Sequence, residues 1–165
     1  MIQRKQTLFL LVALILQVIQ LFSPLGTIVY NTQMGDNVIN ETIKLMPFGI
    51  NSIVLGTISN PISIYYGSIL IISAILSLVA IFLFKNRPLQ MRITIFSLFA
   101  TIIVMGLEAY YIYSVVSPLI DNTMGMSTIY SIIMPAPILV VILLFIAHRL
   151  ILKDEVLIKS NERFR

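Results

Sequence analysis

Long apolar runs separated by short polar stretches give this chain its pattern. No Asp, Glu, Lys, Arg or His lies between Lys5 and Asp36, between Lys44 and Lys85, or between Asp121 and His148. Only Glu108 interrupts the run from Arg92 to Asp121. A helix rises about 1.5 Å per residue, so roughly 20 apolar residues cross the hydrocarbon of a bilayer. Four stretches meet that length: Leu8 to Tyr30, Ile62 to Phe84, Ile93 to Val116 and Ile129 to Leu152. Asn86-Arg87-Pro88-Leu89 is a tight turn and Pro118 to Ser127 a modest loop. Connections this short make neighbours antiparallel. The pattern predicts an all-α membrane protein: one domain over residues 1–165, an antiparallel four-helix transmembrane bundle with a charged tail over 153–165.

Between the first two runs lies a segment of about thirty residues, Asn31 to Pro61, carrying Asp36, Glu41, Lys44, Pro47-Phe48-Gly49 and Asn60-Pro61. Gly49 and Gly56 among Ile, Val and Thr suggest a short extracytoplasmic hairpin. A loop hugging the interface, or an amphipathic cap on the bundle, fits the same residues.

Composition narrows the class. With 58% hydrophobic and 11% charged residues in 165, a water-soluble domain could not hide its apolar surface in one core. The chain has no cysteine, which excludes disulfides, thiol chemistry and cysteine-bound metal. Its start, Met1-Ile-Gln-Arg-Lys-Gln before Leu8 to Phe22, mimics a secretory signal. No small-x-small site follows, so a retained first helix is expected.

Charge sets the expected orientation. Of eleven Lys and Arg, ten flank one side of the four runs, and Lys44 stands alone on the other. Such a bias marks the first side as cytoplasmic, with both termini inside a bacterial inner membrane. It also disposes of nucleic acid as a partner despite the net charge of +4, because the basic residues line a face that anionic lipid attracts.

Candidate chemistry is sparse. Ser63, Gly67, Ala74 and Ser77, with Ser73 and Ala80 beside them, give the second run a small-residue face that suits close packing on the first or third helix. Thr94, Ser97, Thr101, Met105 and Glu108 share a face of the third run at helical spacing. Glu108 is 16 residues past Arg92, and counting from Lys5 puts Gln20 at the same depth, with Gln17 one turn below. Pro135 and Pro137 lack an amide hydrogen and would free the carbonyls of Ser131 and Ile133 inside a helix. A cluster of Glu108, Gln20 and Ser131 is therefore expected in the outer half. Desolvation disfavours a charged carboxyl, so Glu108 is expected protonated and donating. As an intramembrane acid it is a candidate proton or cation site. It could equally be a neutral group fixing helix register, or snorkel outward to a belt of Tyr110, Tyr111 and Tyr113. His148 beside Arg149 has no second ligand at helical spacing, which suits an interfacial residue better than a metal site. No catalytic set or phosphate loop is present in the sequence, so no enzyme activity and no cofactor are expected.

The tail keeps helical spacing while charge rises, with Glu155 and Lys159 an i,i+4 pair. The opening Met1-Ile-Gln-Arg-Lys-Gln-Thr-Leu-Phe-Leu-Leu and the closing Lys153-Asp-Glu-Val-Leu-Ile-Lys-Ser-Asn-Glu-Arg-Phe-Arg165 resemble the Bacteroidota membrane proteins grouped as domain of unknown function 4293. The match at the tail falls on Lys153, Asp154, Glu155, Leu157, Ser160, Arg163 and Arg165. Lys159 stands where Arg is common in those proteins. The resemblance implies a short inner-membrane protein with four spans and no assigned chemistry. Two functions are expected from the whole reading. The first is a non-enzymatic accessory protein that docks a protein partner or anionic lipid through Lys153, Asp154, Glu155, Lys159, Arg163 and Arg165. The second is a small proton-coupled transporter or channel subunit using Glu108.

Overall fold

A computed structural model describes residues 3–34, 37–52, 56–58, 61–122 and 126–163. It contains four helices, α1 (Gln3–Phe22), α2 (Pro61–Phe82), α3 (Arg87–Asn122) and α4 (Ala136–Arg163). At one end stands a sheet of five strands, β1 (Gly26–Met34), β2 (Asn37–Met46), β3 (Gly49–Ser52), β4 (Gly56–Ile58) and β5 (Met126–Tyr130). The strands are antiparallel in the order β4-β3-β2-β1-β5.

The helices pack in a ring, α1 against α2 and α4, and α3 against the same two. Their buried positions recur at steps of three and four: Gln6, Leu10, Ala13, Gln17 and Gln20 on α1, and Gln90, Thr94, Ser97, Thr101, Val104, Glu108 and Tyr111 on α3. Steps of three and four are the heptad spacing by which neighbouring helices interlock along a seam. Val104, fully buried, takes the place expected for Met105, which faces outward. The outer surface carries Leu8, Ile15, Phe22, Ile72, Phe82, Phe96, Phe99 and Ile103. Apolar side chains outside and Gln, Ser, Thr and Glu inside invert the arrangement of a protein folded in water. Spans over Pro61–Lys85, Arg87–Ser117 and Ala136–Leu157 are long and apolar enough to cross a membrane; the apolar part of α1, Gln6–Phe22, is shorter.

Two of the expected span boundaries are corrected. The first run was expected as helix to Tyr30, but α1 ends at Phe22 and β1 begins at Gly26. Pro24 explains the break, because its ring would strike the carbonyl four residues back in a continued helix. The fourth run was expected as helix from Ile129, but Met126–Tyr130 form β5 and α4 starts at Ala136. Pro137 then sits in the first turn, where a missing amide hydrogen costs nothing. The modest loop expected from Pro118 gives way to helix, since α3 runs through Asn122. For the segment after the first helix, the strand alternative holds and begins earlier than expected, at Gly26 instead of Asn31, with its last strand ending at Ile58. Asp36, Asn60 and Arg165 lie outside the described residues.

The sheet belongs to the bundle at its base. Leu25, Ile28, Ile43 and Leu45 share one core with Tyr66, Leu70, Val104, Tyr111 and Ile112. A second core at the opposite end holds Leu10, Ala13, Ala80, Val140, Leu144 and Ala147.

Candidate functional site

Glu108 is 4% exposed and projects from α3 toward α1 and α2. Gln20, at the end of α1, donates through Nε2 to Glu108 Oε2 at 3.1 Å and to the Tyr66 hydroxyl at 2.8 Å. The matching depths of Glu108 and Gln20 thus correspond to contact. Ser131 is not part of this cluster. It lies in the turn before α4, where its amide bonds the carbonyl of Leu25 at 3.0 Å and its hydroxyl accepts from the amide of Ile133 at 3.4 Å. Its carbonyl accepts from Met134 and that of Ile133 from Ala136. The expected free carbonyls are therefore paired, because the prolines begin a helix instead of interrupting one.

Below the carboxyl, polar contacts continue between α1, α2 and α3. Gln17 Nε2 donates to Ser73 Oγ at 2.7 Å and, more weakly, to Thr101 Oγ1 at 3.4 Å. Ser73 and Thr101 share a hydrogen bond at 2.8 Å, as do Ser77 and Ser97. Thr101 bonds back to the carbonyl of Ser97, and Thr94 to that of Gln90. Gln90 Nε2 reaches across to the Ala80 carbonyl at 3.0 Å. From Gln90 to Glu108 the row covers about 27 Å along α3. The small-residue face of α2 thus packs on both helices expected for it. Gly67 is the exception, since it faces the β2–β3 turn.

Above the carboxyl, that turn closes the end of the bundle. Tyr111 stacks beside Tyr66 with ring centroids 6.4 Å apart. Its hydroxyl donates toward the carbonyls of Met46, at 3.3 Å, and Gly49, at 3.1 Å. Of the three tyrosines expected as an outer belt, Tyr110 and Tyr113 are exposed and Tyr111 is fully buried. Nothing in the local sequence separates Tyr111 from its neighbours except its place in the seam, seven residues beyond Val104.

The three polar side chains of this region keep unpaired atoms. Gln17 Oε1, Gln20 Oε1 and Glu108 Oε1 are buried without a hydrogen-bond partner. Buried polar groups are normally satisfied, so a set of three acceptors with no donor is the chemical peculiarity of the site. Among the described residues, no group of three His, Asp or Glu side chains is placed to hold a metal ion.

The residues expected for docking lie at the opposite end and are not equivalent. Lys153 is exposed, but Asp154 is only 7% exposed. The Asp154 carboxylate accepts from Gln6 Nε2, whose amide also bonds the Leu150 carbonyl. Arg87 reaches the Asp154 backbone carbonyl at 3.5 Å. Asp154 therefore joins α4 to α1, because Gln6 offers it a donor inside the bundle. Glu155 is half-buried and engaged in contacts of its own. Lys159 and Arg163 continue α4, and Arg165 lies outside the described residues. His148 is half-buried, with Nδ1 unpaired.

The chain belongs to the family described as domain of unknown function 4293, whose model matches residues 2–164. No curated protein matches it.

Proposed function

We propose that this is a four-span protein of the bacterial cytoplasmic membrane, with both termini inside, acting as a small proton-coupled transporter or channel subunit through Glu108. The observation that carries the reading is a single carboxyl buried between three helices with one oxygen unpaired. The serine, threonine and glutamine contacts below already serve helix register, which leaves the buried carboxyl available for another part. An unpaired intramembrane carboxyl is better suited to gain and lose a proton. The reading is non-enzymatic. The orientation rests on charge: Lys85, Arg92, Arg149 and Lys153 are exposed at the end opposite the sheet.

The test is proton flux into vesicles containing the purified protein, followed with an internal pH-sensitive dye. Wild type should dissipate an imposed proton gradient and Glu108→Gln should not. Equal rates in both would overturn the reading.

The same exposed basic side chains support a second reading, an accessory protein that docks anionic lipid or a protein partner at its cytoplasmic end. Asp154 has no part in it. Replacing Lys153, Lys159 and Arg163 together by Gln should abolish co-purification of such a partner or lipid, and an unchanged set of companions would end that reading.

A further inference from the structure

We infer that Gln20 is a two-way amide that serves Glu108 in both of its protonation states by rotating about its last bond. This rests on the proton-site reading above and specifies how the site works. One terminal atom of Gln20 lies 2.8 Å from the Tyr66 hydroxyl and 3.1 Å from Glu108 Oε2. Both distances suit a nitrogen donating, and the 2.8 Å distance also suits an oxygen accepting from a hydroxyl, while the 3.1 Å contact needs to shorten by a few tenths of an ångström for that exchange.

With Glu108 ionised, the amide nitrogen occupies that position and donates one hydrogen to the carboxylate and one to the phenol. When a proton arrives on Glu108 Oε2, that oxygen becomes a donor and a much poorer acceptor. A half-turn of the amide puts its oxygen in the same place. Glu108 and Tyr66 then each donate to it, one to each lone pair. Two hydrogen bonds exist before and two after, and beyond a slight approach of Glu108 Oε2 no other heavy atom has to move.

The unpaired atoms favour this exchange. In the ionised arrangement, Gln17 Oε1, Gln20 Oε1 and Glu108 Oε1 are three acceptors without a donor. Rotation replaces the outer oxygen of Gln20 with its nitrogen, which takes one acceptor from the surplus and supplies a donor. Little else could take the part. The titratable groups facing Glu108 are the phenols of Tyr66 on α2 and Tyr111 on α3, and α1 offers only amides. The buried side chains of α4 are apolar apart from Asp154 near its far end, those of the sheet in the core about Tyr66 and Tyr111 are apolar, and among the described residues no Lys, Arg or His is buried. Gln20 is a positioning residue in this scheme, and the proton is held by Glu108.

Infrared difference spectra of the protein in lipid, recorded across a pH titration, test it. A protonated-carboxyl band absent from Glu108→Gln identifies the titrating group. An amide carbonyl band absent from Gln20→Met should move to lower wavenumber along the same titration, because that carbonyl goes from no donor to two. Tyr66→Phe leaves Gln20 in place and should roughly halve the movement, which keeps the test valid if Gln20→Met fails to fold. A Glu108 band that titrates while the Gln20 band stays fixed overturns the two-way amide and leaves the proton site standing. Absence of any Glu108 band overturns both.

Discussion

The ring of Phe48 fills the space that a side chain on Gly67 would need. A Cβ built on Gly67 would lie 2.5 Å from the Phe48 ring and 2.7 Å from the Pro47 carbonyl. Glycine in a helix interior is about 1 kcal/mol less favourable than alanine, so alanine at 67 would gain that much from propensity alone. The clash involves backbone as well as ring and outweighs the gain, since forced overpacking costs about 1–3 kcal/mol. Gly67→Ala should therefore lower the thermal midpoint in detergent. Gly106 on α3 is the control, because nothing lies within 4 Å of its Cβ position. Gly106→Ala should raise the midpoint, by roughly 0.5–1 kcal/mol in stability.

Removing the Tyr111 hydroxyl should loosen the turn over the bundle without emptying the core. Tyr111→Phe keeps the ring against Tyr66 and loses the bonds to Met46 and Gly49, a loss of about 1 kcal/mol. Since the chain has no cysteine, a single cysteine at the buried Leu45, beside the same turn, can report the change. An impermeant thiol reagent should label it several-fold faster in the Tyr111→Phe background.

The polar row between α1, α2 and α3 should show graded sensitivity. Gln17 joins both Ser73 and Thr101, whereas Ser77 shares one bond with Ser97. Interhelical hydrogen bonds in membranes average about 0.6 kcal/mol and reach about 1.7. Gln17→Leu should fall near the upper figure and Ser77→Ala near the average, read from unfolding in mixed micelles.

At the basic end, Asp154 and Lys153 are neighbours with different expected effects. Asp154→Ala leaves Gln6 without its carboxylate partner, and a buried bond to a charged group contributes about 1.5–3 kcal/mol. Trypsin should cut the end of α4 several-fold faster in Asp154→Ala. Lys153→Ala should leave cleavage further along the tail unchanged, because Lys153 is exposed.

Much of the interior was legible in the sequence because helical period and depth are local properties. Thr94, Ser97, Thr101 and Glu108 share a face by spacing alone, and counting from the flanking charges set Gln20 level with Glu108. Met105 in place of Val104 shows the limit: both keep a step of three or four, and only the facing helices choose between them. The sheet was hidden for a different reason. Ile28, Val29 and Tyr30 are apolar and follow an apolar helix, so they extend its pattern, and short apolar runs do not distinguish strand from helix. Ser131 failed with them, since its place depends on where α4 begins. Asp154 looked like one charge among many until Gln6, 148 residues away, supplied its partner.

Gly26 pairs with Leu45 on one side and with Tyr130 on the other. The first partner is made soon after Gly26 itself, but the second emerges from the ribosome only when most of the chain is already in place. Until then β1 presents an open edge, the kind of surface that recruits a strand from another molecule. β5 covers five of the nine residues of that edge, Gly26 to Tyr30, and is the last strand before the final helix. In the finished order β4-β3-β2-β1-β5 the edges fall instead on β4, three residues long, and β5, five residues long, and such short edges offer little to a strand from another molecule.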